Sequence, residues 1–211
     1  MKHESVLISM VSAVDWVGRV MWLSLLWIAY SLIGGFVLGL GPATAAQCAV
    51  VRRWTRGERD FSWMKFGWQI FGQEFWKANG LFWIMATIGL VLWFDMHYVS
   101  SHLSPSTAIL GLLGLIPLAL FAMTVLYVFP VFAHVQLSLG KTVQTALLLA
   151  VASPLRTLAG LAFMVACSML AHWVVLWAIL PGLFIDTSTR ITYGALVKRH
   201  WERDPSESVA S

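Results

Sequence analysis

The chain alternates long apolar runs with short polar ones. Val20 to Leu40 form the first run, Leu81 to Trp93 the second (extended by Asn79 and Tyr98), Ala108 to Val131 the third and Leu155 to Phe184 the fourth. Each can reach the roughly 20 residues that a spanning helix needs, given some polar ends. Unpaired backbone groups exclude open strands in a bilayer, and the alternation of a closed barrel is absent, so these runs predict helices. In "FSWMKFGWQIFGQEFWKA" the pattern changes. Phe61, Met64, Trp68, Phe71 and Phe75 recur at helical spacing, with Ser62, Lys65, Gln69 and Gln73 on the opposite stripe. An amphipathic helix lying in the membrane interface has this pattern, its aromatics at the acyl boundary. It reads either as an anchor that stiffens the bundle or as a docking surface for a partner. "LSLGKTVQTALLLAVASPLRTL" predicts a second short helix, between Phe129-Pro130 and Pro154.

Gly41, Pro42, Ala43 and Thr44 predict a turn that opens a packed, small-residue helix, and Pro130 and Pro154 predict two further breaks. From Ala43 to Trp54 that helix is too short to cross alone, at about 1.5 Å per residue, but its small side chains suit close packing. Both halves thus run span, proline break, short helix, span, although too few residues are shared to establish a duplication.

Composition decides the solvent. Of 211 residues, 59% are hydrophobic and 11% charged, against roughly 45–50% and about 25% in a soluble domain. A chain this short cannot hide so much apolar surface in its own core. Many of the 12 tryptophans, such as Trp16, Trp54, Trp76 and Trp93, stand near the ends of apolar runs, as in interfacial belts. The net charge of +4 is too small and dispersed to argue for a nucleic-acid partner; lipid headgroups and an inner-face bias explain it more simply.

Charge placement orients the chain. Arg52, Arg53, Arg56, Arg59, Lys65 and Lys77 lie between the first and second runs, Lys141 lies between the third and fourth, and Arg156 opens the fourth. No Lys or Arg lies between the second and third, so "MHYVSSHLSPS" is expected outside and the basic connections in the cytoplasm. Arg190, Lys198, Arg199 and Arg203 demand an inside C-terminus, which requires a short return helix from about Thr187 to Trp201. Its Arg190, Thr192 and Tyr193, with Asp186 before it, then have to face protein. Lys2 and Arg19 favour an inside N-terminus. "ATA" after an apolar run resembles a signal cleavage site, but the weak positive start and the long run speak for an uncleaved chain. The expected fold is all-α: a polytopic transmembrane bundle of about five or six helices, some short or broken, with two cytoplasmic amphipathic helices. Residues 1–211 form one integral membrane domain, with 202–211 as a flexible tail.

"GPATAA…VVRRWTRGE", the aromatic helix "FGQEFWKAN" and the span "LFWIMATIGLVLWFD" resemble the YesL family of small bacterial membrane proteins. "YVFPVFAHVQLSLGKTVQTALLLAVASPLRTL" resembles the second half of that family equally, so the likeness covers nearly the whole chain. Gly41-Pro42-Ala43-Thr44 with Arg52 is its sharpest mark, and the polar "IDTSTRITYGALVKRHWERD" departs from it. The resemblance implies a domain of unknown function found beside sugar-import and glycan-degrading systems. It suggests an accessory component of a carbohydrate ABC importer, in the bacterial cytoplasmic membrane, with ABC permease subunits as partners.

Candidate chemistry is sparse. Asp95, His97 and His102 could in principle hold a metal, but loop solvation accounts for them as well. His134 and His172 read as packed imidazoles, and Asp95 as a charge at the interface. Asp15 and Arg19, four apart, and Glu74 and Lys77, three apart, have the spacing of helical ion pairs. Cys48 and Cys167 imply neither a zinc site nor a disulfide. GxSxG, Walker A, HExxH and GxGxxG are absent, so neither a cofactor nor catalysis is expected. An accessory or assembly subunit is the leading expectation. A small transporter or channel is the alternative, with Asp15, Arg19, Asp186 and Arg190 as its polar pathway and its sites at interrupted helices. A membrane-bound enzyme is the third.

Overall fold

The computed structural model describes residues 2–58, 60–102, 104–135, 137–170 and 180–203. Arg59 and His172 lie outside them, as do residues 204–211 of the expected tail. The described residues form eight helices and no strand: α1 (Lys2–Ile33), α2 (Val37–Thr55), α3 (Trp63–Gln73), α4 (Phe75–Ser101), α5 (Pro105–His134), α6 (Leu139–Ala152), α7 (Pro154–Leu170) and α8 (Leu180–Arg203). Segments Val14–Ile33 of α1, Phe75–Ser101 and Ile109–His134 are long and apolar enough to cross a membrane. The pair α6 and α7, bent by 97°, makes a fourth if it is counted as one span. This is the architecture of a helical membrane protein.

Eight described helices yield only three or four candidate spans because the first apolar run breaks and the connections are themselves helical. The first break is not at Gly41-Pro42. It falls at Gly34-Gly35-Phe36, where Gly35 has φ 80° and Phe36 φ 59°. There the Gly35 N–H reaches Leu32 O (3.1 Å) and the Phe36 N–H reaches Ser31 O (2.7 Å). These are the two bonds that end a helix when a glycine takes the left-handed conformation. Gly41, Pro42, Ala43 and Thr44 lie inside α2. Proline costs a helix its N–H bond, but here tertiary packing decides: Gly41, Pro42 and Ala43 are buried. At Gly41 the neighbouring helix comes so near that a Cβ would stand 2.7 Å from Ala78 O.

The helix after Gly35 is therefore longer than expected. It has 19 residues, about 28 Å at 1.5 Å each, and is buried on every side from Gly41 to Val51 except at half-buried Thr44. Helices α1, α3, α4, α5 and α8 all pack against it. The small residues of "GPATAA" explain why it sits at the centre: without bulky side chains, five neighbours can approach its backbone. It runs antiparallel to α1, since Gly39 lies against Ser31 and the Trp27 indole donates to Thr44 Oγ1 at 2.9 Å.

Pro130 is no break either, because α5 runs through it to His134, with residues 128–131 buried. Pro154 does open α7, as the sequence predicts. The "MHYVSSHLSPS" segment expected as a loop is helical over much of its length, since α4 continues to Ser101 and α5 begins at Pro105. Ser100 and Ser101 hydroxyls donate to His97 O, each at 2.8 Å, and occupy a carbonyl at that helix end. The return helix expected from Thr187 is already helical at Leu180.

Candidate functional site

The site is built from the C-terminal end of α2. Arg52 and Arg53 stand in its last turn, where cations offset the negative end of the helix dipole. Gly57 (φ 83°) then reverses the chain: its N–H bonds Trp54 O, and that of Glu58 bonds Arg53 O, both at 3.1 Å. The reversal returns Glu58 to Arg53, with Nε 3.5 Å from Oε2. The Arg53 guanidinium also lies 3.9 Å from the Phe66 ring centroid and 5.1 Å from that of Phe61, held there by the ring quadrupoles.

Arg52 turns the other way and donates through Nη1 to the carbonyl of Ala133 on α5. Across the gap, Lys77 pairs with Glu74 at 3.7 Å. Together these elements enclose a cavity of about 400 Å³, whose charged wall is Arg52, Arg53, Arg56, Glu58, Glu74 and Lys77. Its remaining wall is mainly apolar, with Ile70 and Phe132 among the larger groups. Two of the four cations have carboxylate partners. Arg52 and Arg56 have none among the described residues. Burial lowers the Arg52 pKa, and the Arg56 and Arg53 charges lower it further against the opposing pull of Glu58.

A second polar contact joins α1 to α8. Asp186 is buried, and its Oδ2 accepts from Trp16 Nε1 at 3.1 Å and from Arg190 Nε at 2.8 Å. Nearby, the Gly182 N–H donates to Ser24 Oγ at 2.9 Å. Thr192 is buried as the sequence requires, whereas Arg190 is exposed and Tyr193 half-buried. Asp15 is exposed and Arg19 half-buried; they form no ion pair among the described residues. Of the expected polar pathway, Asp186 and Arg190 are therefore brought together, while Asp15 and Arg19 form no ion pair with them among the described residues.

The apolar stripe of α3 is divided. Phe71 is buried, and Phe61 and Phe75 are half-buried, but Met64 and Trp68 are each 50% exposed. Phe71 packs on Tyr30 of α1 (ring centroids 5.4 Å apart) and stacks with Trp68 (5.5 Å). The Tyr30 hydroxyl fixes the helix by donating to Met64 O at 3.0 Å. His97 stacks on Trp93 and His102 on Tyr98 within or beside α4, and no group of three potential metal ligands occurs among the described residues.

Sequence reasoning found the arginines but missed Glu58, Glu74, Lys77 and the Ala133 carbonyl as their surroundings. The Arg-Gly-Glu order of residues 56–58 was the available signal for the reversal. Nothing local announced Trp16 as the partner of Asp186, 170 residues away.

Residues 20–96 match the family described as "Protein of unknown function, DUF624". The chain is 33% identical to the uncharacterized protein YteU of Bacillus subtilis (strain 168) over 212 residues, 94% of this chain and 90% of that one. It is 34% identical to YesL over 185 residues (85% and 86% of the two chains). It is 31% identical to YesV over 167 residues (78% and 76%), both from the same organism. The chain belongs to the YesL family. No solved structure matches it. The segment matched to DUF624 contains the cavity residues from Ala45 to Lys77 and omits Phe132 to Leu137 of the same wall. The cavity thus joins the matched segment to the second half of the chain.

Proposed function

We propose that the protein is an accessory or assembly subunit of the bacterial cytoplasmic membrane, without catalysis of its own, that binds another membrane protein. One observation carries this reading against the transporter alternative. Of the four charges a pathway would use, Asp186 and Arg190 are closed on one another: Asp186 is 3% exposed and already accepts from Trp16 and Arg190. A pathway residue has to reach a cavity or a solute.

The bend between α6 and α7 is the feature that favours a small transporter, because broken spans build solute sites. Here Thr157 occupies the break. Its Oγ1 stands 3.1 Å from Ala150 O, 2.9 Å from Ser153 O and 2.9 Å from the Tyr127 hydroxyl. The polar groups at this break are thus hydrogen-bonded within the chain.

Basic residues at the end of α2 and in α3 support an inner-face position for those elements under the positive-inside rule. Met64, Trp68 and Trp76 are exposed beside them and offer an aromatic surface to lipid or to a partner helix. The permease of a carbohydrate ABC importer is the partner that the family resemblance implies. The test is a mild-detergent pull-down of the tagged protein from its native membrane, with the copurifying chains identified by mass spectrometry. Stoichiometric permease subunits are the expected result. Recovery of the protein alone, with crosslinking also negative, rejects the accessory reading and promotes the transporter.

A further inference from the structure

We infer that the cavity at the end of α2 is a binding site for a phosphate-bearing anion, with Arg52 and Arg56 as its principal ligands. This inference does not depend on the accessory reading. Four cations and two carboxylates line the cavity, and the carboxylates are committed. Glu58 is paired with Arg53, and Glu74 with Lys77. Arg52 and Arg56 stand one helical turn apart and share the cavity wall without an acidic partner among the described residues.

Arginines that only neutralise the end of a helix need neither convergence nor burial. Arg52 is half-buried, and among the described residues its one side-chain hydrogen bond, to Ala133 O, uses Nη1. A guanidinium carries five N–H donors in a planar fork, so most of its donors remain for a ligand. Holding this charge in a partly desolvated place beside Arg56 is unfavourable, and a bound anion relieves both the burial and the repulsion. Phosphate is the anion that fits best, because its oxygens accept paired N–H bonds from planar guanidiniums.

The rest of the wall narrows the ligand further. Ala45, Ala49, Ile70, Phe132 and Val135 face the same space as the charges. A ligand with a phosphate and an adjoining apolar or neutral part fills such a cavity better than the ion alone. An anionic lipid headgroup and a soluble phosphorylated solute share this chemistry.

The experiment uses the full-length protein. Native mass spectrometry counts phosphatidylglycerol retained from nanodiscs that mix it with phosphatidylcholine. Thermal unfolding in pure phosphatidylcholine nanodiscs is followed against inorganic phosphate and glycerol phosphate. Each measurement is repeated for Arg56→Gln and for Lys65→Gln, the latter an exposed cation on α3 outside the cavity wall. Arg56 is exposed and lies just past the last residue of α2, so its removal leaves the fold intact, as the unliganded melting temperature verifies. Should Arg56→Gln fail to fold, Arg56→Lys replaces it, keeping the charge but losing the fork.

A lipid ligand appears as retained phosphatidylglycerol that falls about tenfold in Arg56→Gln and not in Lys65→Gln, the loss expected for a hydrogen bond to a charged group. A soluble ligand appears as a saturable rise in melting temperature with phosphate or glycerol phosphate, abolished only by the Arg56 variant. Binding of neither, or equal loss in the Arg56 and Lys65 variants, overturns the assignment.

Discussion

The Trp16 indole on α1 donates to the Asp186 carboxylate on α8 at 3.1 Å, closing a contact between residues 170 apart in sequence. Arg190, one turn further along α8, supplies the second donor at 2.8 Å. A buried carboxylate with two donors is tolerated; stripped of either, it is a penalty. Trp16→Phe is expected to destabilise the protein by about 1.5–3 kcal/mol, the range for a hydrogen bond to a charged group. Arg190→Ala is expected to cost more, because it also removes the counter-charge. Thermal unfolding in detergent measures both, and unchanged melting in the two variants would exclude this contact as a stabilising element.

Close helix approach predicts a sharp contrast among glycines. A Cβ at Gly39 would strike the Ser31 carbonyl, and one at Gly182 would strike the Val20 carbonyl and Ser24 Oγ. Gly39→Ala and Gly182→Ala are each expected to cost about 1–3 kcal/mol by overpacking. Among the described residues nothing lies within 4 Å of a Cβ at Gly72 or Gly140, so alanine there is expected to be neutral or to stabilise by up to about 1 kcal/mol. Melting temperatures of the four variants settle the order.

The hydrogen bond from Tyr30 to Met64 O ties α3 to α1. Tyr30→Phe keeps the ring contacts with Phe71 and Trp68 and removes only the hydroxyl, at a cost of about 1 kcal/mol. Hydrogen exchange should quicken in residues 63–73 and stay unchanged in α5. A uniform increase along the chain would show that α3 does not open independently.

Cys48 lies at the centre of the bundle with 0% exposure. In a Cys167→Ser background, a membrane-permeant maleimide should leave the native protein unlabelled, and labelling should follow the unfolding curve. Rapid labelling before unfolding would mean that α2 is reached from outside its five neighbours.

The helical, membrane-embedded character was legible because it is a local property. Any window such as residues 109–134 carries its own apolar excess, and a bilayer leaves such a window no choice but a helix. That residues 63–73 form a helix was legible for the same reason, since 3.6-residue periodicity needs no knowledge of neighbours. Proline and glycine were less reliable guides. Pro42 and Pro130 look like breaks in isolation, yet each is buried in a continuous helix, whereas Gly35 and Pro154 do mark breaks. Local penalties of a few kcal/mol yield where packing on several sides is worth more.

The sequence alone determined that this chain is an all-helical membrane protein, that its arginines cluster after a small-residue helix, and which family it resembles. Tertiary structure decided that this helix is the hub of the bundle and that Asp186 closes on Trp16 and Arg190. It also decided that Glu58 and Glu74 neutralise some cations of the cavity and leave Arg52 and Arg56 without acidic partners among the described residues. The physical reason is range. Hydrophobicity and periodicity act within a segment, but the partner of a buried charge comes from wherever the folded chain brings another helix.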